Sequence, residues 1–235
     1  MQPFKQQNVY QSTVWPELII EKKEDHLLLQ LTEKLQTLSS AVYGGGLHEA
    51  SHFVNWKVPL DYSSIDPTLL MEQKLTEWGY PLNESLGLQT AAYIHTASIQ
   101  EMVGDEFKMV CVATAGVGNS ARAGRVRETF PAYQCSTINV FLFIDSSMTP
   151  SAVINSIITA TEAKSAALQD LQVLDENGEI ATGTTTDSVV IACSQNDSQY
   201  RTHQFAGVAT SIGNAIGCLV YDAVYEVVKN QEAPY

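Results

Sequence analysis

Residues 44–56 read GGGLHEASHFVNW and contain His48-Glu49-Ala50-Ser51-His52, the H-E-x-x-H spelling of zinc peptidases. In such enzymes two histidines one helical turn apart hold Zn²⁺, and the glutamate between them activates the bound water. The spelling therefore carries meaning only on a helix. Glu72, in a predicted helix downstream, offers a third ligand. The flanks oppose this reading: Gly44, Gly45 and Gly46 disfavour helix, and Phe53-Val54-Asn55-Trp56-Lys57-Val58-Pro59 alternates like a strand. A helix squeezed between them has about one or two turns, too short to sustain itself. The favoured reading is a pair of surface-loop histidines and no metal site.

A second pattern follows the predicted strand 108–115. Gly116-Val117-Gly118-Asn119-Ser120-Ala121 fits the G-x-G-x-x-G/A dinucleotide fingerprint, and Asp145 ends the next strand, where an acid can meet a ribose hydroxyl. That fingerprint needs a crossover helix between the strands, whereas the chain here contains Gly124, Pro131 and no apolar period. What survives is a glycine-rich loop at a strand end, which brings backbone N–H groups close to a bound molecule.

The elements that must position these groups are legible in outline. Leu18-Ile19-Ile20 and Leu27-Leu28-Leu29 flank the charged turn Lys22-Lys23-Glu24-Asp25 as a hairpin. Asp66-Pro67 starts a helix whose stripe of Leu70 or Met71, Leu75 and Trp78 stops at Gly79. Residues 86–96 and 98–103 look extended, 108–115 form a buried strand, and 137–144 another closed by Asp145. Thr149-Pro150 opens a long helix with Val153, Ile154, Ile157, Ile158, Leu168 and Leu171 on its buried side. After the turn at Glu176-Asn177-Gly178 come the polar loop 182–187 and a strand over 188–193. The last helix spans about residues 206–228, with Ile212, Ile216, Leu219, Val220 and Val227 buried beside a stripe of Ala209, Gly213 and Gly217. Early hairpins and late helices predict an α+β fold, a mixed, mostly antiparallel sheet covered by helices, in a single layered domain over 1–235.

Composition narrows the function classes. The 235 residues carry a formal net charge of −13, which repels nucleic acid and anionic membrane alike. Arg122, Arg125 and Arg127 are the local exception; a solvated basic face is favoured over an anion site. The start of the chain lacks the features of a secretory signal, and no apolar run reaches the ~20 residues of a membrane helix, so a soluble cytoplasmic protein is expected. Cys111, Cys135, Cys193 and Cys218 read as buried free thiols.

Several blocks stand in order along the chain: Leu38-Ser39-Ser40-Ala41 leading to Gly44-Gly45-Gly46, Thr114-Ala115-Gly116 with Arg122-Ala123-Gly124, Thr137-Ile138-Asn139-Val140, Thr159-Ala160-Thr161-Glu162-Ala163-Lys164, and Ala181-Thr182-Gly183-Thr184-Thr185-Thr186-Asp187. As an ordered set they resemble the adenosylcobinamide amidohydrolase family of corrinoid salvage. Two positions depart from the family pattern: Ser136 stands for a glycine and Tyr43 for an asparagine. The resemblance implies hydrolysis of the amide joining aminopropanol to the corrin ring, giving adenosylcobyric acid and 1-amino-2-propanol. The partner is a small-molecule corrinoid, a homo-oligomer is possible, and no cofactor is required beyond the cobalt of the substrate itself. The alternatives are a corrinoid-binding protein without catalysis and a zinc hydrolase built on the HEASH segment.

Amide hydrolysis needs a nucleophile or activated water, donors for the oxyanion and an acid for the leaving amine. No G-x-S-x-G elbow or Ser-His-Asp spacing is present. Loop 182–187 is the richest source of such groups. Asp187 is the candidate base or water-orienting group, Thr184, Thr185 and Thr186 are donors with Thr185 in the catalytic set, and Gly183 frees backbone N–H groups. Glu162 and Lys164 are two apart and cannot share a helix face; Glu162 is preferred as the acid/base partner. His95, read as a strand residue, is a third acid candidate, and Gly116, Gly118, Asn119, Ser120 and Asn139 complete the substrate-binding set.

Overall fold

The computed structural model describes residues 1–59, 66–126 and 137–231. Its elements in chain order are β1 (Val9–Gln11), β2 (Ile19–Lys22), β3 (His26–Ser39), β4 (Gly46–Lys57), α1 (Pro67–Glu77), β5 (Ser85–Thr90), β6 (Ser98–Gly104), β7 (Phe107–Ala115), β8 (Ser120–Ala121), β9 (Ile138–Asp145), α2 (Pro150–Asp170), β10 (Gly183–Thr184), β11 (Ser188–Cys193) and α3 (Ser211–Lys229). The hairpin expected at the charged turn is β2–β3, antiparallel. Both cap-and-proline starts also hold: the Asp66 carboxylate accepts from Leu69 N, and the Thr149 hydroxyl from Ala152 N.

The main sheet runs β1-β2-β3-β11-β9-β7-β6, with β4 pairing β3 and β5. Pairs β4/β5 and β9/β11 are parallel and the other described pairs are antiparallel, so the fold is the expected α+β with a mixed, mostly antiparallel sheet. Each parallel pair is joined by a crossover carrying a helix, α1 for the first and α2 for the second, because parallel strands cannot be linked by a tight turn. Strands β7 and β9 pair directly as antiparallel neighbours, which leaves no place for a dinucleotide-binding crossover.

The register of β3 against β4 shifts between Gln30 and Leu35, and an irregularity of this kind bends a strand. The sheet curls until β4 and β5 lie over the inner face of β7, β9 and β11, where the Phe53 ring meets Phe143 edge-on at 4.9 Å. Helices α2 and α3 cover the opposite face through Met109, Cys111, Val140, Leu142 and Ile191, and α1 covers Val54 and Trp56 with Met71 and Leu75. All eight residues of β9 and all six of β11 are buried, as central strands packed on both faces must be.

Several expectations are corrected. Residues 94–96 form a 3-10 turn rather than continuing a strand, and the last helix begins at Ser211, leaving Ala209 outside it. Cys111 and Cys193 are buried but Cys218 is exposed on α3, while Cys135 and Arg127 lie outside the described residues. Most consequential is the rotation of α2. Its buried face runs through Ala152, Ser156, Thr159, Ala160, Ala163, Lys164, Ala167 and Leu168, whereas Ile154 and Ile158 are 54% and 50% exposed. Small side chains let α2 approach α3 and the sheet closely, an approach that isoleucines at these positions would block. The same reason applies at Gly213, where a Cβ would overlap the carbonyl oxygens of Ala206 and Gly207. Accordingly, Ile154→Ser and Ile158→Ser should each change unfolding free energy by no more than about 0.5 kcal/mol. Ala160→Leu, at a wholly buried position, should cost about 1–3 kcal/mol through overpacking, and urea unfolding of the three variants separates the two faces.

Candidate active site

One end of the curled sheet gathers the C-terminal end of β7 with the N-terminal ends of β9 and β11. Thr114, Asn139 and Ser188 lie in one cross-strand row, and residues opposite each other in register share a face. That face points at β4 and β5. The Asn139 amide donates to Asn55 Oδ1 at 2.8 Å and to Gln89 O at 2.9 Å, and Asn55 Nδ2 donates to Thr114 Oγ1 at 2.8 Å. Ser188 Oγ and Ser40 Oγ are 2.9 Å apart. Both asparagines and Thr114 are almost wholly buried, so these bonds satisfy groups that are costly to bury unpaired. Both Asn139 N–H donors are thus taken by the protein, and its role here is to tie the two walls of the curl together.

Past the N-terminal ends of β9 and β11, toward α2, sits loop 182–187. The Asp187 carboxylate collects four donors: Lys164 Nζ and Thr184 N on Oδ2, the latter at 3.0 Å, and Thr184 Oγ1 at 2.5 Å and Ile138 N at 3.1 Å on Oδ1. The Lys164 and Asp187 side chains are 8% and 11% exposed, making this a buried ion pair. The two backbone amides and the hydroxyl satisfy further lone pairs of the carboxylate, which offsets part of the cost of burying it. Gly183 makes the arrangement possible: a Cβ there would overlap the Asp187 carboxylate and stand 2.7 Å from Lys164 Nζ.

Adjacent segments lock onto the loop. Strand β10 pairs with β8 across Gly183–Ala121 and Thr184–Ser120. Thr137 Oγ1 donates to Thr186 O at 2.8 Å, Gly116 N to Thr137 O at 2.9 Å, and Asn119 Nδ2 to Thr185 Oγ1 at 2.7 Å. Asn119 is buried, Thr184 half-buried, and Thr185 and Thr186 are exposed at the lip. The structure therefore unites Gly116, Asn119, Asn139, Gly183, Thr184, Thr185, Thr186 and Asp187 around one hydrogen-bonded cluster.

Other candidates stand elsewhere or do other work. Ser120 flanks the cluster, but its hydroxyl donates to Leu174 O at 2.6 Å, and Gly118 is an exposed turn residue. His95 belongs to the 3-10 turn after β5, half-buried, its ring 5.5 Å from that of Tyr93. Glu162 is exposed and lines a groove of about 430 Å³ between α2 and α3 with Asn214, Cys218, Tyr221 and Asp222. The preference for Glu162 over Lys164 is thus reversed. The lysine, two residues on, is the one that reaches Asp187, because it lies on the small-residue face of α2. A second concavity, of about 530 Å³, opens at the far end of β9, where Asp145 accepts from Ser194 and Tyr200 and lies 3.5 Å from Lys108 Nζ. Burial and the Asp145 carboxylate push the Tyr200 phenol up to about 12, so it stays a donor there at any physiological pH.

His48 and His52 lie half-buried on β4 rather than in the expected surface loop, and four strand residues span about 13 Å, too far for one zinc ion, so the peptidase spelling is accidental. His52 instead bonds Ser51 Oγ at 3.0 Å. Arg125 is engaged by both Glu179 oxygens at 2.6 Å, and Arg122 donates to Ile180 O, so both arginines are paired within the chain. Of the departures from the family pattern, Tyr43 donates to Leu82 O at 3.3 Å, and Ser136 lies outside the described residues. Lys164, Asn55, Ser40 and Ser188 are the site residues that sequence reasoning passed over. The available signals were a lysine among Ala160, Ala163 and Ala167, and an asparagine in the inward row with Phe53.

The sequence model of a family described as adenosylcobinamide amidohydrolase matches residues 11–234. An adenosylcobinamide amidohydrolase of Methanosarcina mazei is 31% identical over 178 residues, which covers 73% of this chain and 80% of that protein. An uncharacterised protein of Methanocaldococcus jannaschii is 25% identical over 232 residues, covering 88% of this chain and 86% of its own length. Among solved structures, the PH0078 protein of Pyrococcus horikoshii aligns at a TM-score of 0.46 with 11% identity, over 90% of this chain and 78% of that one. A β-aminopeptidase of Burkholderia sp. aligns at 0.42 with 10% identity, over 88% and 78%.

Proposed function

Because the chain belongs to the adenosylcobinamide amidohydrolase family and is a hydrolase of amide bonds, we propose that it cuts the amide between aminopropanol and the corrin ring, releasing adenosylcobyric acid and 1-amino-2-propanol. The observation that carries this reading is the Asp187 cluster, in which an anchored carboxylate and a hydroxyl lie directly beneath an exposed lip of uncharged hydrogen-bonding groups. The lip, Thr185 and Thr186 backed by Asn119, suits a corrinoid, whose rim presents many neutral amides. A corrin ring is too bulky to enter the buried floor, so the ring rests outside and one side arm reaches inward. Asp187 acts as the orienting and proton-accepting group, and the substrate brings its own cobalt, so no further cofactor is needed. Among the described residues no helix is long and apolar enough to cross a membrane.

The test is incubation of the purified protein with adenosylcobinamide and mass analysis of the products. Appearance of adenosylcobyric acid and 1-amino-2-propanol in equal amounts is expected. Intact substrate after prolonged incubation would overturn the proposal, and saturable binding without turnover would assign the chain to corrinoid binding instead.

A further inference from the structure

We propose that Thr184 is the nucleophile, with Asp187 taking its proton and Lys164 serving as the positioning residue that holds Asp187, an inference that rests on the amide hydrolysis proposed above. A carboxylate accepts a proton along a hydrogen bond that already exists. Of the four donors on Asp187, the amides of Ile138 and Thr184 do not release protons, which leaves the Lys164 ammonium and the Thr184 hydroxyl. The hydroxyl donates directly to Oδ1, and once deprotonated it is an oxygen nucleophile on a residue that also reaches the lip. It is also the donor near the surface: Lys164 is 6% exposed, whereas Thr184 is half-buried beside the open lip.

Three features hold this hydroxyl in place. Its backbone is pinned in β10 by pairing with β8, its branched side chain is stiff at χ1, and its carboxylate partner is fixed from the other side by Lys164. Lys164 Nζ and Thr184 N both bond Oδ2, which leaves Oδ1 turned to the Thr184 hydroxyl, so the lysine helps set the direction of proton transfer without touching the substrate.

The step balances. Thr184 Oγ bonds to the amide carbonyl carbon as its proton passes to Asp187, and the tetrahedral intermediate collapses with cleavage of the C–N bond. The amine departs with the proton returned by Asp187, leaving a threonyl ester of the corrinoid acid. Water then adds to the ester, giving its proton to Asp187; the C–Oγ bond breaks and Oγ recovers the proton. One water is consumed, Lys164 stays charged, and no redox partner is involved.

The experiment combines Thr184→Ala, Thr184→Ser, Lys164→Met and Lys164→Arg with turnover of adenosylcobinamide in the presence of hydroxylamine, which intercepts an ester as a corrinoid hydroxamate. Wild type and Thr184→Ser should form the hydroxamate. Thr184→Ala should form none and lose at least about 10³-fold in kcat. Lys164→Met should lower kcat and alter its pH profile with KM little changed, and Lys164→Arg should restore part of the rate. Thermal unfolding of each variant confirms that it is folded. Hydrolysis by Thr184→Ala within tenfold of wild type, a rate for Thr184→Ser no better than for Thr184→Ala, or no hydroxamate from an active wild type would overturn the proposal. If the wild type leaves adenosylcobinamide intact, it is the amidohydrolase reading that fails, so the two failures are distinct.

Discussion

Asp187→Ala should bring turnover of adenosylcobinamide down by at least about 10³-fold and cost about 3–5 kcal/mol of unfolding free energy. The two effects share one cause. Without the carboxylate, Lys164 is left as a buried, unpaired charge, and the amides of Ile138 and Thr184 and the Thr184 hydroxyl all lose their acceptor. Each lost partner carries a desolvation penalty, so the damage exceeds that of an ordinary surface ion pair, worth about 0–1 kcal/mol. Asp187→Asn should be milder in stability, because one oxygen survives, yet nearly as inactive, because an amide is a poor proton acceptor. Urea unfolding gives the first quantity and kcat the second. Glu162→Ala is the contrasting variant: its side chain is exposed on the other side of α2, and its kcat should stay within about twofold of wild type. An Asp187→Ala protein as active as wild type would remove the cluster from the reaction.

Gly183→Ala should lower kcat about 10²-fold or more while leaving the protein folded. The added methyl group would overlap the Asp187 carboxylate and crowd Lys164 Nζ, so the pair must shift to make room. A displacement of about 1 Å at a catalytic group suffices for a loss of this size. The change deletes no polar group and introduces no charge, which separates the importance of geometry from that of composition. A reduced kcat together with a loss of about 1–3 kcal/mol in unfolding free energy, the transition staying cooperative, is the expected pair of results; unchanged kcat would mean that the loop relaxes freely around the methyl.

The features that proved legible in the chain are local ones. Asp66-Pro67 and Thr149-Pro150 announce helix starts because a capping oxygen and a ring-fixed φ act within one turn. The runs that became β7, β9 and β11 are apolar enough to read as buried strands from their own residues. The ordered small-residue and hydroxyl-rich blocks pointed to the family, and the loop around Asp187 was visible as an unusual concentration of polar groups beside a glycine. Misreadings came where a local rule had a rival further away. The HEASH spelling fails because β4 pairs with both β3 and β5, and the dinucleotide fingerprint fails because β7 pairs directly with β9. On helix α2 the expected stripe holds at Leu168 and in part at Val153 and Ile157 but fails at Ile154 and Ile158, because α3 and the sheet select the alanine face.

By itself, then, the amino-acid sequence determined the two capped helix starts, the buried runs of β7, β9 and β11 and the α+β class that follows from them, since each is read from residues within a turn or two of one another. Tertiary structure alone decided that Lys164 rather than Glu162 meets Asp187, 23 residues away, and that Asn55 and Asn139 meet across 84. Those contacts depend on how the sheet curls and which face of α2 it accepts, and both are set by the packing of all the elements together rather than by any segment's own preference.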